Sequence, residues 1–464
     1  MRTTEVDVVV IGAGITGLVT AFNLMEAGKK VVIVEKSDRT GGQMDSVTDR
    51  GFVFETGPNT GVLNNIEVIR LFERLQDRIK PETARKESKI RLIWKGKKFH
   101  ALPHGHQLGI MTPLFTFTDK MRICFEPWRA KGKDPMETIG ALTRRRLGKS
   151  FLKYAVDPFI SGIYAGDPDR LVTRFALPKL YNLEQNYGSF IRGAIKLHHP
   201  VKTDEEKKVT KEVFSVPGGF GQLSKTLTEE ISLENIRLSV GHTEIQPSEG
   251  LFRWKTILKD RDETIFSNFV VTTTPGYSLP DLVPFAYEKA IKTIASMPYA
   301  PVVQVGVGVL SETHNVPQCF GGLVPSCEGK DMLGILFPSS CFENRAPKGG
   351  ATLSFFLGGR KRPEIIDWPD EKIVQMVEEA LVSMLGFPKG FKPDVLHIYR
   401  HARAIPQYEA DTEERLTAID FLQSNHPGLI LAGGIRDGIG LGDRIRQASE
   451  ISEKIRIQPN IQHV

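Results

Sequence analysis

The sequence of 464 residues has few cysteines and no long apolar run, and both absences limit what the protein can be. No stretch approaches the ~20 apolar residues that cross a bilayer as a helix. The first apolar strand begins within ten residues of the N-terminus, which leaves no room for a signal peptide, so we expect a cytoplasmic protein. The cysteines form no C-x-x-C pair, which favours free thiols in a reducing compartment and predicts no metal site. They are Cys124, Cys319, Cys327 and Cys341.

The composition is that of an ordinary globular protein, with 40% hydrophobic and 25% charged residues and a length suited to two or three domains. The net charge is +6, and residues 106–153 hold ten Lys or Arg against four acids, an excess as large as that of the whole chain. One interpretation is a helical subdomain with a solvated basic face. Another is peripheral docking on an anionic membrane surface, at the cytoplasmic face of an inner membrane. Nothing resembles a nucleic-acid-binding module, so no nucleic acid partner is predicted.

The strongest motif lies near the N-terminus, where a short apolar strand at 8–11 runs into a glycine-rich turn and a helix at 18–27. A second apolar strand at 31–34 ends on Glu35. In such a unit the glycines allow a tight turn, close approach of a pyrophosphate and close helix packing, while the acid holds a ribose. The order predicts a dinucleotide site. The turn has the GxGxxG pattern and comprises Gly12, Ala13, Gly14, Ile15, Thr16 and Gly17.

Two later segments favour FAD over NAD as the dinucleotide. An RxGG turn at 39–42 and the FETGP run at 54–58 resemble FAD-contacting segments of amine-oxidase-type flavoproteins. Near the C-terminus a last apolar strand at 429–432 leads through another glycine-rich turn into a helix, which predicts a second helix N-terminus facing the cofactor. The alternative interpretation of this segment is a plain glycine-rich turn that does not contact a cofactor.

The rest of the chain predicts a second, mixed sheet. A hairpin at 89–101, strands at 300–310, 333–337 and 351–357, and a helix at 371–385 belong to it. Strands at 237–240, 253–258 and 269–273 return to the first domain, and helices are predicted at 61–76 and 222–231. The predicted fold is α/β: a Rossmann-like FAD-binding domain (1–84, 212–280 and 400–464), a mixed-sheet substrate domain (85–105, 190–211 and 281–399) and a helical, membrane-associating domain (106–189).

Nearly the full length resembles the protoporphyrinogen oxidase family, FAD enzymes of haem biosynthesis. The runs that carry the resemblance include GAGITGL, RTGG, RLIWKGKKFHALP, DPFISGIYAGDP, NLEQNYGSFIRG, VPGGFGQL, FGGLVPS, GILFPSSCFENRAP, FFLGG and AGGIRDGIGLGD. The resemblance implies oxidation of protoporphyrinogen IX to protoporphyrin IX, with O2 as acceptor and H2O2 as by-product. It implies a porphyrinogen-binding pocket between domains and a helical domain that associates with membranes in some members. A homodimer is one expected assembly, although the sequence does not determine the oligomeric state.

The resemblance also carries over site residues. His242 falls where the family usually has a valine whose backbone meets the adenine, and no cysteine beyond Cys341 could attach the flavin, so FAD is expected to be non-covalent. No side chain is predicted as catalytic acid or base, because the flavin N5 does the chemistry. The remaining FAD positions are Gly12, Ala13, Gly14, Ile15, Thr16, Gly17, Glu35, Lys36, Gly42, Gln43, Gly57, Pro58, Asn59, Thr60, Gly434, Ile439, Gly440 and Leu441. The substrate positions are Arg91 for a propionate, and Gly162, Leu323, Leu336 and Phe356 for the tetrapyrrole.

Three alternatives stay open at this point. Relatives in other bacteria oxidise coproporphyrinogen III, which has more propionate arms, although they often lack an arginine at the position of Arg91. A flavin amine oxidase or carotenoid-type desaturase is compatible with the same fold. A non-catalytic flavin- or porphyrin-binding protein is the third.

Overall fold

The strands are described from a computed structural model that covers residues 2–102, 112–196, 203–249, 253–310, 316–436 and 438–458. Within these ranges they are β1 Arg2–Ile11, β2 Val31–Val34, β3 Ser46–Asp49, β4 Phe52–Glu55, β5 Gly61–Val62, β6 Glu82–Thr83, β7 Arg91–Lys95, β8 Lys98–Ala101, β9 Val213–Ser215, β10 Ile236–Arg237, β11 Thr243–Pro247, β12 Trp254–Leu258, β13 Glu263–Thr272, β14 Tyr299–Leu310, β15 Gly321–Leu323, β16 Gly334–Leu336, β17 Gly350–Gly358, β18 Val395–Pro406 and β19 Leu429–Leu431.

The longer α-helices, of seven residues or more, are α1 Ile15–Glu26, α2 Ile66–Arg74, α3 Phe117–Cys124, α4 Ile139–Arg146, α5 Asp157–Tyr164, α6 Pro178–Tyr187, α7 Phe190–Lys196, α8 Phe220–Ile231, α9 Glu288–Ala295, α10 Asp370–Leu385, α11 Thr412–Asn425 and α12 Leu441–Ile457. Shorter ones are Lys149–Phe151, Thr173–Ala176, Asp204–Lys208, Leu279–Leu282 and Pro338–Cys341, and a π-helical turn at Leu152–Val156 leads into α5. No helix in these ranges is long and apolar enough to cross a membrane.

The first sheet has the order β10-β2-β1-β13-β12-β11, with β19 also pairing with β13. Strands β10, β2, β1, β13 and β19 are mutually parallel, and β12 and β11 are added antiparallel. Alternate residues of β1 point to opposite faces: Val8 and Val10 pack with α1, α2, α8 and α12, whereas Val9 and Ile11 pack with α5, α9 and α11. Helices on both faces of a parallel sheet confirm the predicted Rossmann-like class.

The second sheet is mixed, as predicted, with the order β18-β14-β17-β16-β15-β7-β8. One face packs against α10 through Ile373, Val377 and Leu381. The hairpin β7–β8 has positive φ at Gly96 and Lys97, which is the twist that a tight two-residue turn requires. The opposite face of the sheet is turned toward β3 and β4, because a Cβ on Gly306 would meet the ring of Phe54.

Residues 112–196 form the helical region, and two of its arginines, Arg145 and Arg146, form ion pairs within it. Arg146 is fully buried and donates to Glu126 Oε1 and Glu184 Oε1, both at 2.6 Å. Arg145 binds Glu137 and Glu184 as well. The expectation of a solvated basic face is therefore wrong for Arg146, because its acidic partners lie in other turns of the region. Residues 106–111 of the basic segment lie outside the described residues.

The domain division stays a prediction, but three elements do not follow its boundaries. Strand β18 runs across residue 400, and α7 packs on α6 in the helical region although residue 190 was expected to open a substrate-domain segment. Helix α9 buries Ile291 and Ile294 in the core of the first sheet, not the second.

Two element predictions were too long. The predicted helix at 61–76 begins only at Ile66, because Gly61 and Val62 pair with β9 and Asn65 then caps the helix by accepting the N–H of Val68. The predicted strand at 237–240 is reduced to β10, since Ser239 has a φ of 56°. The predicted strands at 253–258, 300–310 and 351–357 and the helices at 222–231 and 371–385 are confirmed.

Candidate active site

The first glycine-rich turn joins β1 to α1 and leaves a concave backbone surface at the helix start. Gly12 has a φ of 100°, and a Cβ on Gly17 would collide with the carbonyl oxygen of Gly12. Gly14 is the N-cap of α1, and a Cβ built there would meet nothing within 4 Å. The two crowded glycines allow the turn, and the third leaves room in front of the free N–H groups of the helix.

Glu35 follows the carboxyl end of β2 and lies against this turn. Its Oε2 accepts the N–H of Ala13 at 2.6 Å and its Oε1 accepts the N–H of Ser37 at 2.8 Å. A carboxylate oxygen can accept more than one hydrogen bond, so both oxygens keep capacity for ribose hydroxyls. Lys36, the next residue, is exposed.

The segments around Gly42 and Gly57 pack on the same turn. Gly41 donates its N–H to the carbonyl of Ala13, and a Cβ on Gly42 would stand 3.2 Å from Gly14 Cα. A Cβ on Gly57 would collide with the carbonyl oxygen of Gln43. The chain is thus folded so that the predicted positions 12–17, 42–43 and 57–60 form one continuous surface.

The C-terminal turn completes this surface. Gly440 caps α12, and its helix start lies beside segment 57–61, because a Cβ on Gly61 would stand 3.2 Å from Leu441 Cδ2. The hydroxyl of Tyr408 donates to the carbonyl oxygens of Gly434 and Gly438, at 3.0 and 2.9 Å. Sequence reasoning missed Tyr408, whose only signal is a buried aromatic with a polar tip.

Unsatisfied polar atoms support a bound group at this surface. The side-chain Oδ1 of Asn59 and the hydroxyl of Thr274 are buried, and neither has a hydrogen-bond partner within the described ranges. Buried polar atoms are rarely left without a partner in a complete site. Together with the open space at Gly14, they show that the residues present fit a dinucleotide. Thr274 lies within 3.5 Å of a Cβ built on Gly12 and was not predicted.

His242 fits its predicted role less well. Its ring is exposed and hydrogen-bonds Asp260, while its N–H donates to the same carboxylate at 2.8 Å and its carbonyl accepts the N–H of Lys259. Both backbone groups that were expected to meet the adenine therefore have protein partners. The adenine contact of His242 stays a prediction that this geometry does not favour.

The predicted substrate residues lie on one face of the second sheet. Paired residues form two rows across strands β7, β15, β16 and β17. Along each strand the two rows are two residues apart, so their side chains point to the same side of the sheet. The rows are Arg91–Gly321–Leu336–Ser354 and Ile93–Leu323–Gly334–Phe356. This is the face turned toward the predicted cofactor surface, where the next residue of the second row, Gln304, donates to the carbonyl of Glu55 at 2.7 Å.

A small pocket joins the two sets of residues. Asn59 and Thr60 of the cofactor set and Leu336 of the substrate set line it, together with Phe320. Arg91 is exposed at the border, with its guanidinium carbon 5.3 Å from the centroid of the Phe320 ring. Arg91 has no ion-pair partner among the residues that the structure covers, so its charge is available to a ligand.

The sheet face formed by these two rows is called the substrate wall. Gly162 on α5 lies against it, since a Cβ there would collide with Leu323 Cδ2. The end of α5 is fixed by the IYAGDP motif. Ala165 is left-handed, with a φ of 46°, its carbonyl accepts the N–H of Arg360, and Gln407 donates to the carbonyl of Tyr164. The motif therefore holds α5 against both β17 and β18.

Glu55 is the buried ionisable group nearest to segment 57–60. Its carboxylate accepts the hydroxyl of Ser46 at 2.6 Å and the N–H of Phe220 at 3.0 Å. Burial raises the pKa of Glu55 to about 7, although these hydrogen bonds and the charge of Arg345 lower it. A carboxyl group with a pKa raised to about 7 thus lies near the cofactor segment, between Ser46 of β3 and the start of α8.

Known proteins share this architecture. The family model of flavin-containing amine oxidoreductases matches residues 15–436. The mitochondrial protoporphyrinogen oxidase of Nicotiana tabacum is 29% identical, over 97% of this chain and 94% of its own. A protoporphyrinogen oxidase of Homo sapiens is 27% identical, over 97% of this chain and 98% of its own. The crystal structure of a protein assigned as a protoporphyrinogen oxidase from Exiguobacterium sp. 255-15 superposes with a TM-score of 0.79 at 22% identity, covering 98% of this chain and 99% of its own.

The family match spans most of the chain, so the predicted flavin is confirmed, and the dinucleotide unit gives FAD as its form. The cysteines are free thiols, as expected. The chain belongs to the family of flavin-containing amine oxidoreductases.

Proposed function

We propose that the protein is an oxygen-dependent protoporphyrinogen oxidase that acts in haem biosynthesis. The observation that carries this proposal is the sheet face that holds Arg91 and three apolar residues beside a pocket shared with Asn59 and Thr60. A cation at the border of an apolar wall suits a flat macrocycle with carboxylate arms. The plant and human relatives are protoporphyrinogen oxidases, which agrees with this substrate.

In this proposal the chain binds and orients, and the cofactor supplies the chemistry. Bound FAD would supply a hydride acceptor at N5 and, once reduced, reactivity toward O2 that yields H2O2. The turn at 12–17 and the start of α12 would hold its phosphates, and Glu35 its ribose. Arg91 would orient the substrate by a propionate, and Leu323, Leu336 and Phe356 would set the distance of the ring from the flavin. The wall excludes water from the reacting face.

The test is the rate of porphyrin fluorescence when FAD-loaded protein in air receives protoporphyrinogen IX or coproporphyrinogen III. We expect faster fluorescence from protoporphyrinogen, with H2O2 formed in proportion and no signal above autoxidation from heat-inactivated protein. Faster oxidation of coproporphyrinogen would move the enzyme to the alternative substrate. If neither porphyrinogen is oxidised, the amine oxidase alternative is favoured. Turnover measured with a panel of amines would then test that alternative.

We also propose peripheral membrane contact through the helical region, on the cytoplasmic side. It presents exposed apolar side chains, Phe117 and Trp128 at 76% and 74% exposure, beside the exposed Lys131 and Lys133. Apolar anchors next to cations suit an anionic interface. Co-sedimentation with phosphatidylglycerol vesicles should fall in Trp128→Ser and with high salt, and equal recovery of both proteins would contradict the contact. Homodimer formation stays a prediction for sedimentation analysis.

A further inference from the structure

Helix α5 presents a stripe of exposed apolar side chains beside the candidate active site. Phe159 and Ile163 are 40% and 43% exposed, and Gly162 lies between them on the same side of the helix. The opposite side is buried through Ile160 and Tyr164, among others. Two neighbouring exposed apolar side chains on one side of a helix are available to contact an apolar group of a ligand.

The stripe borders the substrate wall. Gly162 is in contact distance of Leu323, whose Cδ2 also lies 3.3 Å from a Cβ built on Gly334. Gly321 and Gly334 carry no side chains, so Leu336 and Leu323 lean over them and form a shallow apolar surface between the stripe and the pocket at Asn59. A ring lying on this surface reaches α5 on the side of Leu323.

Charge is distributed unequally around this cleft. Arg91 stands in the row of Leu336, whereas the stripe stands beside the row of Leu323. A carboxylate placed against Phe159 and Ile163 would lose part of its hydration without gaining a cation from either, which disfavours that placement. An uncharged arm placed there would gain from burial of apolar area.

We propose that Phe159 and Ile163 contact the uncharged arms of the porphyrinogen and select a substrate with fewer carboxylates over one with more. This inference rests on the proposed function and adds a specificity element to it. Arg91 binds a carboxylate arm at one border of the cleft, and the stripe rejects carboxylates at another. Specificity is then a difference of affinities built from one attractive and one repulsive element.

The experiment measures kcat/KM for protoporphyrinogen IX and coproporphyrinogen III with FAD-loaded Ile163→Arg and Phe159→Arg. A cation on the stripe should give the additional carboxylates a partner, so we expect the protoporphyrinogen to coproporphyrinogen ratio to fall at least tenfold. The matched control is Phe421→Arg, which changes a 48% exposed phenylalanine on α11 and should leave the ratio unchanged. Flavin absorbance of each variant verifies the loaded fold.

Other outcomes are decisive as well. An unchanged ratio in a flavin-loaded Ile163→Arg variant overturns the inference. If the arginine variants do not load flavin, Phe159→Leu serves instead, and its kcat/KM should fall for protoporphyrinogen more than for coproporphyrinogen; an equal fall overturns the inference. A native protein that prefers coproporphyrinogen overturns the selection by the stripe but keeps the flavin oxidase. A native protein that oxidises neither overturns the proposed function itself.

Discussion

The pKa values of two buried acids shift in opposite directions: Glu126 lies in the helical region, and Glu55 lies beside the cofactor segment. Burial raises the pKa of Glu126, but hydrogen bonds from Ser189, Phe190 N–H and Arg146 outweigh it and leave the pKa below its ordinary value. In Glu55 burial dominates, and the pKa rises to about 7. Glu126 has more partners: Ser189, the N–H groups of Phe190 and Ile191, and the Arg146 guanidinium all donate to it, whereas Arg345 acts on the more deeply buried Glu55 only through its charge. Whether a buried acid is charged therefore depends on the balance between burial and its hydrogen-bond partners.

Of the changes that test this comparison, removal of the Arg146 guanidinium is expected to have the largest effect on stability. Arg146→Met should lower the free energy of unfolding by roughly 3–5 kcal/mol, because Glu126 would stay buried without its cation. Urea titration followed by tryptophan fluorescence measures this, and Trp128 lies in the same region. Lys149→Met, an exposed change in the same segment, is the control and should have little effect. Equal stability of the two variants would show that the network adds nothing to folding.

The second test replaces Glu55, the buried acid near the cofactor segment, with the neutral residue glutamine. The pKa of Glu55 rises from 4.5 to about 7 on folding, so its favourable contribution is complete below pH 4.5 and is lost as the pH rises through 7. Above pH 7 the ionised group destabilises the fold by about 3 kcal/mol. Glu55→Gln keeps an acceptor for Phe220 N–H and stays neutral. It should therefore be more stable than the native protein at pH 8.5, with the difference shrinking toward pH 4.5.

The measurement is urea unfolding of both proteins, with FAD bound, at pH 5 and pH 8.5. Ser46→Ala is a useful companion, because it removes one hydrogen bond to Glu55 without changing charge. Its effect should be similar in sign at both pH values. Parallel pH profiles for Glu55→Gln and the native protein would contradict a carboxyl group that titrates near neutrality.

The first strand, glycine-rich turn and helix could be predicted from the sequence because their signal is local. The turn at 12–17, its helix and Glu35 are neighbours in the chain, and their geometry follows from glycine conformations and helix ends. The buried Arg146 could not be foreseen, since one of its acidic partners, Glu184, lies 38 residues away. Counting charges in a segment gave the number of cations but not their partners.

The substrate wall was predicted only by resemblance, since the rows depend on pairing between distant strands. Nothing near Arg91 indicates that β7 pairs in parallel with β15, or that Gly321 then places Leu336 in the same row. A shift of one residue would turn the side chains to the α10 face. The exposed stripe on α5 is also invisible in sequence, because an apolar residue normally predicts burial.

The smallest effect on the free energy of unfolding is expected at Arg91, which is exposed, whereas Arg146 is buried. Arg91 is exposed and has no ion-pair partner within the described ranges, so Arg91→Ala should leave the free energy of unfolding nearly unchanged. It should raise KM for protoporphyrinogen roughly tenfold, about 1.4 kcal/mol, with little change in kcat.

Arg91→Lys should recover part of this loss, because it keeps the charge but not the bidentate geometry that a guanidinium offers a carboxylate. Lys98→Ala, an exposed change on the adjacent strand β8, is the control and should not alter KM. An unchanged KM in Arg91→Ala would remove the reason for its role. A large loss of stability instead would mean that Arg91, like Arg146, belongs to the fold, and the substrate carboxylate would then need another cation.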